Sequence, residues 1–328
     1  MKAVVFAGKG GPEVVEVREV PDPRPGRGEV LVRVRAAAMN RADLLQRRGV
    51  YPPPRGYRED MPGLELAGEV AALGEGATLW NPGDRVMAIA AGEAQAELAV
   101  AHERMLVRVP DGLSWEQAGA VPEAFVTAHD ALFTLGGLRP GWTVLVHAAG
   151  SGVSTAAIQL ARAAGATVIG TSRTAEKLEK ARGLGLDHGI RVGTEEPRFA
   201  DEVKGITGGR GVPLILDFVG ASYAAENLAA LGGGGRIVVI GTMGGPRATV
   251  DLGLLMRSRG SIVGTVLRPR PIEEKIRATQ DFAREVVPLL AAGKVKPVVD
   301  AALPLSRARE AHERMEKNDS FGKIVLAP

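Results

Sequence analysis

The chain has 328 residues, which at ~150 residues per domain suggests about two domains. It contains no cysteine, which excludes a disulfide framework, a thiolate metal site, a cysteine nucleophile and a redox dithiol. The formal net charge is only +3 and acidic residues are interspersed with basic ones, so the charge distribution argues against a nucleic-acid or membrane-surface binder.

The sequence predicts neither a signal peptide nor a membrane span. The N-terminal apolar run breaks at Lys9, too early for a signal peptide, and no stretch reaches the ~18 apolar residues of a membrane span. We therefore expect a cytoplasmic protein without a membrane partner.

The first third of the chain predicts a compact, partly open β-barrel. Residues 14–20 and 30–35 alternate apolar and charged side chains, as half-buried strands do, and proline-rich turns separate such segments. Short strands joined by turns are typical of a small barrel.

The middle of the chain predicts a doubly wound α/β domain. Ser114, with Gln117 three residues later, indicates a capped helix start. Farther along, apolar strands alternate with helical patterns: the strands are predicted at residues 144–148, 167–171, 214–218 and 236–240, and the helices near 155–164, 175–183, 197–206 and 222–231. Strands that are apolar on both faces belong to a parallel sheet covered by helices.

The C-terminal segment has a mixed pattern, with a helix predicted at residues 271–282 and strands near 295–305 and 322–326. We expect it to rejoin the first domain. The predicted domains are therefore residues 1–122 with 266–328, which carry the substrate site, and residues 123–265, which bind a nucleotide.

The turn after the predicted strand at 144–148 is the strongest candidate binding site. Small residues occupy it, and Gly150, Ser151, Gly152 and Val153 lie where the strand becomes a helix. Such a turn lets backbone N–H groups approach a pyrophosphate at the positive end of the helix. It follows the first strand of a βαβ unit, as the dinucleotide fingerprint requires. Tight strand–helix packing without a ligand is the alternative.

The end of the next predicted strand favours NADP(H) over NAD(H). A site selective for NAD would place an acidic residue there to bind the ribose 2′-hydroxyl, but the first acid is Glu176, inside the following helix. Ser172, Arg173 and Lys177 instead supply a hydroxyl and two cations, which suit a 2′-phosphate. A solvated helix start is the alternative.

Several segments of the chain resemble the medium-chain dehydrogenase/reductases. They are residues 62–70 (Pro-Gly-Leu-Glu-Leu-Ala-Gly-Glu-Val), residues 83–86 (Gly-Asp-Arg-Val), and the spaced set Gly141, Leu145, Gly152, Gln159 and Arg162. Within this superfamily the chain is most similar to the zinc-independent NADPH:quinone oxidoreductases of the ζ-crystallin branch, above all to the stress-inducible, apoptosis-linked subgroup. Residues 40–44, 155–160, 214–217 and 322–326 carry that likeness. The resemblance implies a GroES-like, partly open β-barrel domain, a Rossmann domain and a homodimer formed through Rossmann edge strands.

Two departures from the family pattern concern the nucleotide site. Where relatives have paired glycines and a further glycine, this chain has Ser151-Gly152-Val153-Ser154. Many relatives also have a tyrosine near the adenosine, but the corresponding segment here ends Ile190-Arg191-Val192. We expect Arg191 to replace that contact electrostatically.

The resemblance also bears on metal chemistry. Alcohol-oxidising members hold a zinc with Cys and His, and a Gly-His-Glu segment supplies one ligand; here that segment is Gly63-Leu64-Glu65. Without the histidine and without any cysteine, that zinc site cannot form. A quinone accepts hydride without a Lewis acid, because its reduced oxygen is stabilised by an aromatic ring, so it needs orientation more than a metal.

The remaining site residues follow from the resemblance. Asn40 and Asp43 match family positions near the nicotinamide, and Tyr51 matches a tyrosine that faces the substrate. Tyr51 either hydrogen-bonds the quinone or relays a proton to it, or it only anchors a proline-rich loop. The expected cofactor contacts, besides those in the turn and the next strand, are Thr127, Gly241, Met243, Leu267 and Lys323.

Three functions remain open on the sequence. The favoured one is zinc-independent reduction of quinones by NADPH, in one- or two-electron steps. The second is NADPH-dependent reduction of activated carbon–carbon double bonds, such as those of enals or enoyl-thioesters. The third is a non-catalytic NADPH-binding protein of crystallin type that binds RNA or has a structural role, although the diffuse charge argues against a nucleic-acid partner.

Overall fold

The computed structural model describes residues 1–193 and 195–328. The chain forms two compact units, one made of Met1–Val126 with Leu267–Pro328 and the other of Thr127–Val266. Each unit has its own principal β-sheet. Short 3₁₀ turns lie at Pro12–Val14, Glu103–Met105, Ala221–Tyr223 and Leu305–Arg307.

The N-terminal part of the first unit is rich in strands, as expected. Its strands are β1 (Lys2–Phe6), β2 (Val15–Glu19), β3 (Glu29–Ala38), β4 (Glu65–Leu73), β5 (Arg85–Ile89), β6 (Leu98–His102) and β7 (Leu106–Arg108). Its helices are α1 (Arg41–Arg47) and α2 (Trp115–Gly119), and α3 (Pro122–His129) begins in this unit and ends in the second. The strand predictions at residues 14–20 and 30–35 are confirmed as β2 and β3. The predicted helix start is also confirmed, because the Ser114 hydroxyl accepts the Gln117 N–H at 3.2 Å.

The second unit is a doubly wound parallel sheet with helices between its strands. The strands are β8 (Thr143–Val146), β9 (Thr167–Ser172), β10 (His188–Arg191), β11 (Val212–Asp217), β12 (Leu231–Val239) and β13 (Ser261–Gly264). The helices are α4 (Gly152–Ala163), α5 (Ala175–Arg182), α6 (Ala200–Ile206), α7 (Ala224–Ala230) and α8 (Leu252–Ser258), and a π-helical segment, Asp130–Leu135, precedes β8. The strand order is β10-β9-β8-β11-β12-β13, and every neighbouring pair is parallel.

This strand order positions a ligand site. The order reverses between β8 and β11, and in open α/β sheets ligands bind at the carboxyl ends of the strands at such a switch point. The two strands that sequence patterns missed, β10 and β13, are the sheet's outer strands and have only four residues each. An outer strand keeps exposed positions, so it lacks the continuous apolar run that marks a central strand.

The C-terminal segment returns to the first unit. Its elements are α9 (Ile272–Glu285), α10 (Val287–Ala291), β14 (Val299–Pro304), α11 (Ala308–Lys317) and β15 (Lys323–Ala327). They complete a mixed sheet of order β14-β15-β3-β4-β5-β7, with β6 also paired to β3, and β1 and β2 form a separate hairpin. In this sheet Val325 of β15 lies opposite Ala38 of β3. Residues Leu267–Pro328 therefore lie in the same compact unit as Met1–Val126.

The helices give no sign of a membrane segment. Across the part of the chain that the structure describes, none of them is both long and apolar enough to cross a bilayer.

Candidate functional site

The turn between β8 and α4 has the geometry of an anion-binding helix start. Ala148 adopts a φ of 51°, a conformation that L-residues rarely adopt and that indicates a locally strained turn. Ser151 caps α4, and Gly152 and Val153 open its first turn while remaining half-exposed. The first N–H groups of a helix lack intrahelical acceptors, so they are available to a phosphate.

Ser154, which departs from the family's glycine pattern, does not obstruct this helix start. Its side chain is completely buried, and its hydroxyl donates to the His147 carbonyl oxygen at 2.7 Å. The Ser154 N–H is bound by the Ser151 hydroxyl oxygen at 3.2 Å. Both contacts direct Ser154 into the protein, so the serine stabilises the turn instead of filling the space in front of it.

A buried polar network that the sequence did not indicate supports the turn from beneath. His147 Nδ1 lies 2.8 Å from Thr171 Oγ1, and its Nε2 lies 2.6 Å from Asn227 Oδ1. The Asn227 amide in turn donates to Asp217 at 3.0 Å. Burial lowers the pKa of His147 to about 4, so the imidazole is neutral, its Nε2 donates to Asn227, and its Nδ1 accepts from Thr171. The network joins β8, β9, β11 and α7.

The residues predicted to recognise a 2′-phosphate come together at the carboxyl ends of β9 and β10. Ser172 ends β9, and Arg191 lies opposite it on β10. The Arg191 Nε donates to the Arg173 carbonyl oxygen at 3.4 Å, and both arginine side chains are exposed. Lys177 lies in the first turn of α5, which begins three residues after Ser172. Two arginines that share one exposed corner are suited to a phosphate dianion.

Further predicted contacts lie at the carboxyl ends of β11 and β12 and on α3. The Gly241 N–H donates to the Asp217 carbonyl oxygen at 3.2 Å, and a Cβ on Gly241 would lie 2.9 Å from the Phe218 carbonyl oxygen. Met243, two residues on, is 52% exposed. Thr127 is buried, and its hydroxyl has no hydrogen-bond partner within the described part of the chain. A buried, unpartnered hydroxyl is costly unless a ligand completes it, which fits a contact with the nicotinamide amide.

In the first unit, the predicted residue Asp43 lies in the interior. Its carboxylate is fully buried and accepts the Asn40 N–H at 2.7 Å, the Gln95 amide at 3.0 Å and the Gly63 N–H at 3.3 Å. Burial raises its pKa to about 6. Gly63 has a φ of 120°, and a Cβ there would lie 2.3 Å from the Gln95 nitrogen, so only glycine fits. The contacts place Asp43 as a support for the segment before β4.

Asn40 and Lys323 meet a glutamate that the sequence analysis noted only as part of a motif. The Lys323 ammonium lies 2.5 Å from Glu65 Oε1 and donates to Asn40 Oδ1 at 2.7 Å. The Asn40 amide also donates to Glu65 Oε1, at 2.9 Å. The fourth member, Glu123, gives its backbone N–H to Glu65 Oε2 at 2.8 Å. Lys323, which was expected to contact the cofactor, is thus bound within the first unit.

Glu123 was missed because an acidic residue after a helix-starting proline is ordinary in sequence. It lies in the first turn of α3, and its side chain is half-buried. Burial and, to a smaller extent, the neighbouring Glu65 carboxylate raise its pKa to about 7, although the Lys323 charge acts in the opposite direction. A carboxyl group that is partly protonated at neutral pH and still partly exposed is typical of functional sites.

Tyr51 is held by a buried arginine that also escaped the sequence analysis as a site residue. The Arg268 guanidinium lies 5.4 Å from the Tyr51 ring centroid and donates to the Tyr51 carbonyl oxygen at 3.3 Å. Its other groups donate to Ala91 O and Gln46 Oε1, both at 2.7 Å. Leu267, the preceding residue, is buried. Burial and the Glu123 charge raise the pKa of Tyr51, so its phenol keeps its proton at neutral pH.

Comparison with known proteins identifies the fold family. An alcohol dehydrogenase GroES-like domain model matches residues 26–137, and a zinc-binding dehydrogenase model matches residues 152–285. A quinone oxidoreductase of Pseudomonas aeruginosa is 36% identical over 334 residues, covering 100% of this chain and 99% of that protein. The chain belongs to the medium-chain dehydrogenase/reductase superfamily.

Three further proteins are similar to most or all of this chain. Erythronolide synthase EryA2 of Saccharopolyspora erythraea is 39% identical over 299 residues, but the chain spans only 8% of that protein's length. An Escherichia coli quinone oxidoreductase solved in complex with NADPH superposes with a TM-score of 0.86 at 31% identity, with full coverage of both chains. An NAD-dependent alcohol dehydrogenase superposes with a TM-score of 0.89 at 35% identity, also with full coverage.

These matches confirm the expected fold class of this dehydrogenase/reductase, a GroES-like domain with a Rossmann domain. One of the family models is named for zinc, yet the described residues of this chain contain no group of three or more His, Cys, Asp or Glu side chains that could hold a metal ion. Leu64, which stands where the alcohol-oxidising members have a histidine ligand, is buried.

Proposed function

We propose that this chain is an NADPH-dependent oxidoreductase that reduces quinones by hydride transfer without a metal. One observation carries the proposal. In the second unit, the open helix start after β8 lies beside an exposed corner that Arg173 and Arg191 share. Quinone oxidoreductases that align with the whole chain support the reaction class.

Selectivity for NADPH is attributed to the two arginines and Ser172. The NAD-dependent neighbour shows that this fold serves either cofactor, so the choice depends on the residues at the end of β9. When bound, NADPH supplies the hydride. The turn residues Gly150 to Val153 would hold its pyrophosphate, and Thr127 would complete its hydrogen bonds to the carboxamide.

In the first unit, we assign Tyr51 to the acceptor. Within the residues described by the structure, the Tyr51 hydroxyl has no hydrogen-bond partner, while Arg268 holds its ring and carbonyl. A protonated phenol that is free at its oxygen can donate to the carbonyl oxygen of a quinone, where negative charge develops as hydride arrives. Asn40 and Asp43 are assigned a supporting role. The Asn40 amide binds Glu65, and the Asp43 carboxylate accepts the Gly63 N–H in the segment before β4.

The test is an NADPH-oxidation panel of ortho- and para-quinones, enals, an enoyl-thioester and primary alcohols (the alcohols with NADP⁺), each measured with and without a chelator. We expect quinone reduction with NADPH, with NADH much weaker and with no effect of the chelator. Alcohol oxidation that the chelator abolishes would overturn the proposal, as would equal affinity for NADPH and NADH.

A second candidate is the reduction of activated carbon–carbon double bonds. It is favoured by the relatives named as synthases, EryA2 and the polyketide synthase GfsB, which align with 91% of this chain. The electron-poor alkene also accepts hydride directly and would use the same Tyr51 donor. Turnover of the enal or thioester with kcat/KM above that of every quinone would select this function over the first.

We also propose that two copies associate through the outer strand β13. Ile262 on this strand is 43% exposed, and on the adjoining helix α8 the exposed fractions of Leu252 and Met256 are 67% and 77%. An outer strand with unpaired backbone groups beside exposed apolar side chains is suited to pairing with a second copy. Light scattering should give twice the chain mass, and Ile262→Lys should reduce it to one copy. A monomeric wild-type chain would refute the proposal.

A further inference from the structure

Asp217 is the last residue of β11, one of the two central strands of the parallel sheet, and it is buried. Its carboxylate accepts three hydrogen bonds: Oδ1 binds the Val219 N–H at 2.7 Å and the Gly220 N–H at 3.0 Å, and Oδ2 binds the Asn227 amide at 3.0 Å. A buried carboxylate is costly unless such donors replace the water that it has lost. All three partners belong to the protein, so Asp217 can act on a ligand only through the groups that it holds.

The bond to Asn227 reaches the turn after β8. Because the Asn227 nitrogen donates to Asp217, its oxygen faces His147 and accepts from Nε2, 2.6 Å away. The His147 carbonyl oxygen in turn accepts the Ser154 hydroxyl, in the first turn of α4, at 2.7 Å. Ala148, the next residue after the histidine, has a φ of 51°, which a residue other than glycine keeps only where its surroundings hold it. Asp217 therefore fixes, through one intermediate side chain, the histidine that precedes this strained position.

The two bonds to backbone N–H groups shape the loop after β11, and that loop is joined to the loop after β12. Gly220 has a φ of 81°, a left-handed conformation that favours glycine, and its N–H is bound by Asp217 together with that of Val219. The Gly244 N–H donates to the Val219 carbonyl oxygen at 2.7 Å. Residues 240–245 thus lie against a loop whose shape Asp217 sets, and they include two of the predicted cofactor contacts.

We propose that Asp217 is a positioning residue for the dinucleotide, because it sets two edges of the proposed cofactor site at once. Through Asn227 and His147 it holds the turn that would bind the pyrophosphate, and through the loop after β11 it holds the loop after β12. This inference rests on the proposed function. The 2′-phosphate corner is held by a separate contact, the hydrogen bond from Arg191 to the Arg173 carbonyl oxygen. Loss of Asp217 should therefore weaken a ligand that spans the pyrophosphate far more than one that fills only this corner.

The pattern of donors and acceptors supplies a matched set of variants. Asp217→Asn keeps the size of the side chain, but its new amide nitrogen must face either the two backbone N–H groups or the Asn227 nitrogen, a donor against a donor. Asn227→Asp sets an acceptor against an acceptor in the same way. Combining the two substitutions restores the pattern, because the new amide gives its nitrogen to the new carboxylate, whose other oxygen accepts from His147 Nε2. Asp201→Asn, an exposed change on α6, is the control.

Each variant is titrated with NADPH and with adenosine 2′-monophosphate, which has the 2′-phosphate but neither the pyrophosphate nor the nicotinamide. Asp217→Asn should raise the Kd for NADPH on the order of tenfold, because a buried donor loses its acceptor, and the Kd for adenosine 2′-monophosphate less than about twofold. With 1,4-benzoquinone as acceptor, the KM for NADPH should rise similarly, whereas kcat at saturating NADPH should change less than about threefold. The double variant should return to within about threefold of the wild-type affinity, and Asp201→Asn should match wild type.

Urea unfolding of the same variants separates positioning from support of the fold. An Asp217→Asn variant that is less stable but binds NADPH as tightly as wild type would overturn the inference, as would equal losses for the two ligands. A double variant that binds NADPH no better than Asp217→Asn would overturn it too. None of these results touches the proposed function. A wild-type chain that binds neither ligand would overturn both, and one that binds NADPH but reduces neither quinones nor activated alkenes would overturn the proposed function alone.

If neither single variant folds, the double variant decides the question, because it keeps a donor opposite every acceptor. It should fold and bind NADPH within about threefold of the wild-type affinity. A double variant that does not fold, or that folds and binds NADPH about tenfold more weakly, would overturn the inference.

Discussion

Replacement of Lys323 by methionine tests whether the buried cluster of the first unit is held together as the structure shows. The Lys323 ammonium lies 2.5 Å from Glu65 Oε1, and the exposed fractions of the two side chains are 6% and 0%. Methionine is similar in length but removes the charge. The Glu65 carboxylate would then lose its cationic partner in the interior, with only the Asn40 amide and the Glu123 N–H as donors.

The magnitude follows from that unpaired charge. Breaking a buried ion pair by removing one partner costs about 3–5 kcal/mol, a large part of the roughly 5–15 kcal/mol by which a domain is stable. Removing both charges, as in Glu65→Gln with Lys323→Met, should cost distinctly less, because no uncompensated charge remains. The exposed pair Lys180–Glu176 provides the control, and Lys180→Met should cost less than about 0.5 kcal/mol.

Urea unfolding at pH 7, followed by tryptophan fluorescence, measures these differences. Trp115 is a suitable reporter, because it packs against the buried cluster that contains Val325 of β15. A Lys323→Met variant no less stable than Lys180→Met would refute the reasoning, as would a double variant that is less stable than the single one.

Three further substitutions test other parts of the molecule. Arg173→Ala should weaken NADPH binding about tenfold, the equivalent of 1.4 kcal/mol, and leave NADH binding unchanged; equal losses for both cofactors would contradict a 2′-phosphate contact. Arg268→Met leaves three acceptors without their donor, two of them buried and one half-buried. We therefore expect a loss of about 3 kcal/mol and a lower kcat from a displaced Tyr51, whereas unchanged thermal unfolding and turnover would show that the guanidinium is not needed. Burial and the Arg47 charge lower the pKa of His312 from 6.5 to about 3, so the folded protein favours the neutral ring. The free energy of unfolding should therefore decrease as the pH falls below 6.5, by roughly 2.7 kcal/mol at pH 4.5. His312→Gln should flatten this part of the curve of stability against pH, and an unchanged slope would refute the assignment.

Local patterns predicted much of the fold and the turn that is proposed to bind the nucleotide. The alternation of residues 30–35 places Val30, Val32 and Val34 in the core of the first unit, and it is visible in the sequence because side chains on a strand alternate between faces. The turn after β8 is likewise local: strand, small residues and helix follow one another, so its place at the switch point could be anticipated. The cations at the end of β9 were recognised in the same way, from residues that are neighbours in the chain.

The sequence by itself thus determined the periodicity of the strands and helices, the small-residue turn between β8 and α4, the absence of thiol ligands and the family resemblance. Only the tertiary structure decided which charges meet. Lys323 and Asn40 are 283 positions apart, and Arg268 reaches Gln46 across 222 positions, so no spacing rule could pair them. The tertiary structure also set the pKa values of buried groups. Desolvation raises the pKa of Glu123 and of the Tyr51 phenol, and this desolvation comes from neighbours that folding brings together from distant parts of the chain.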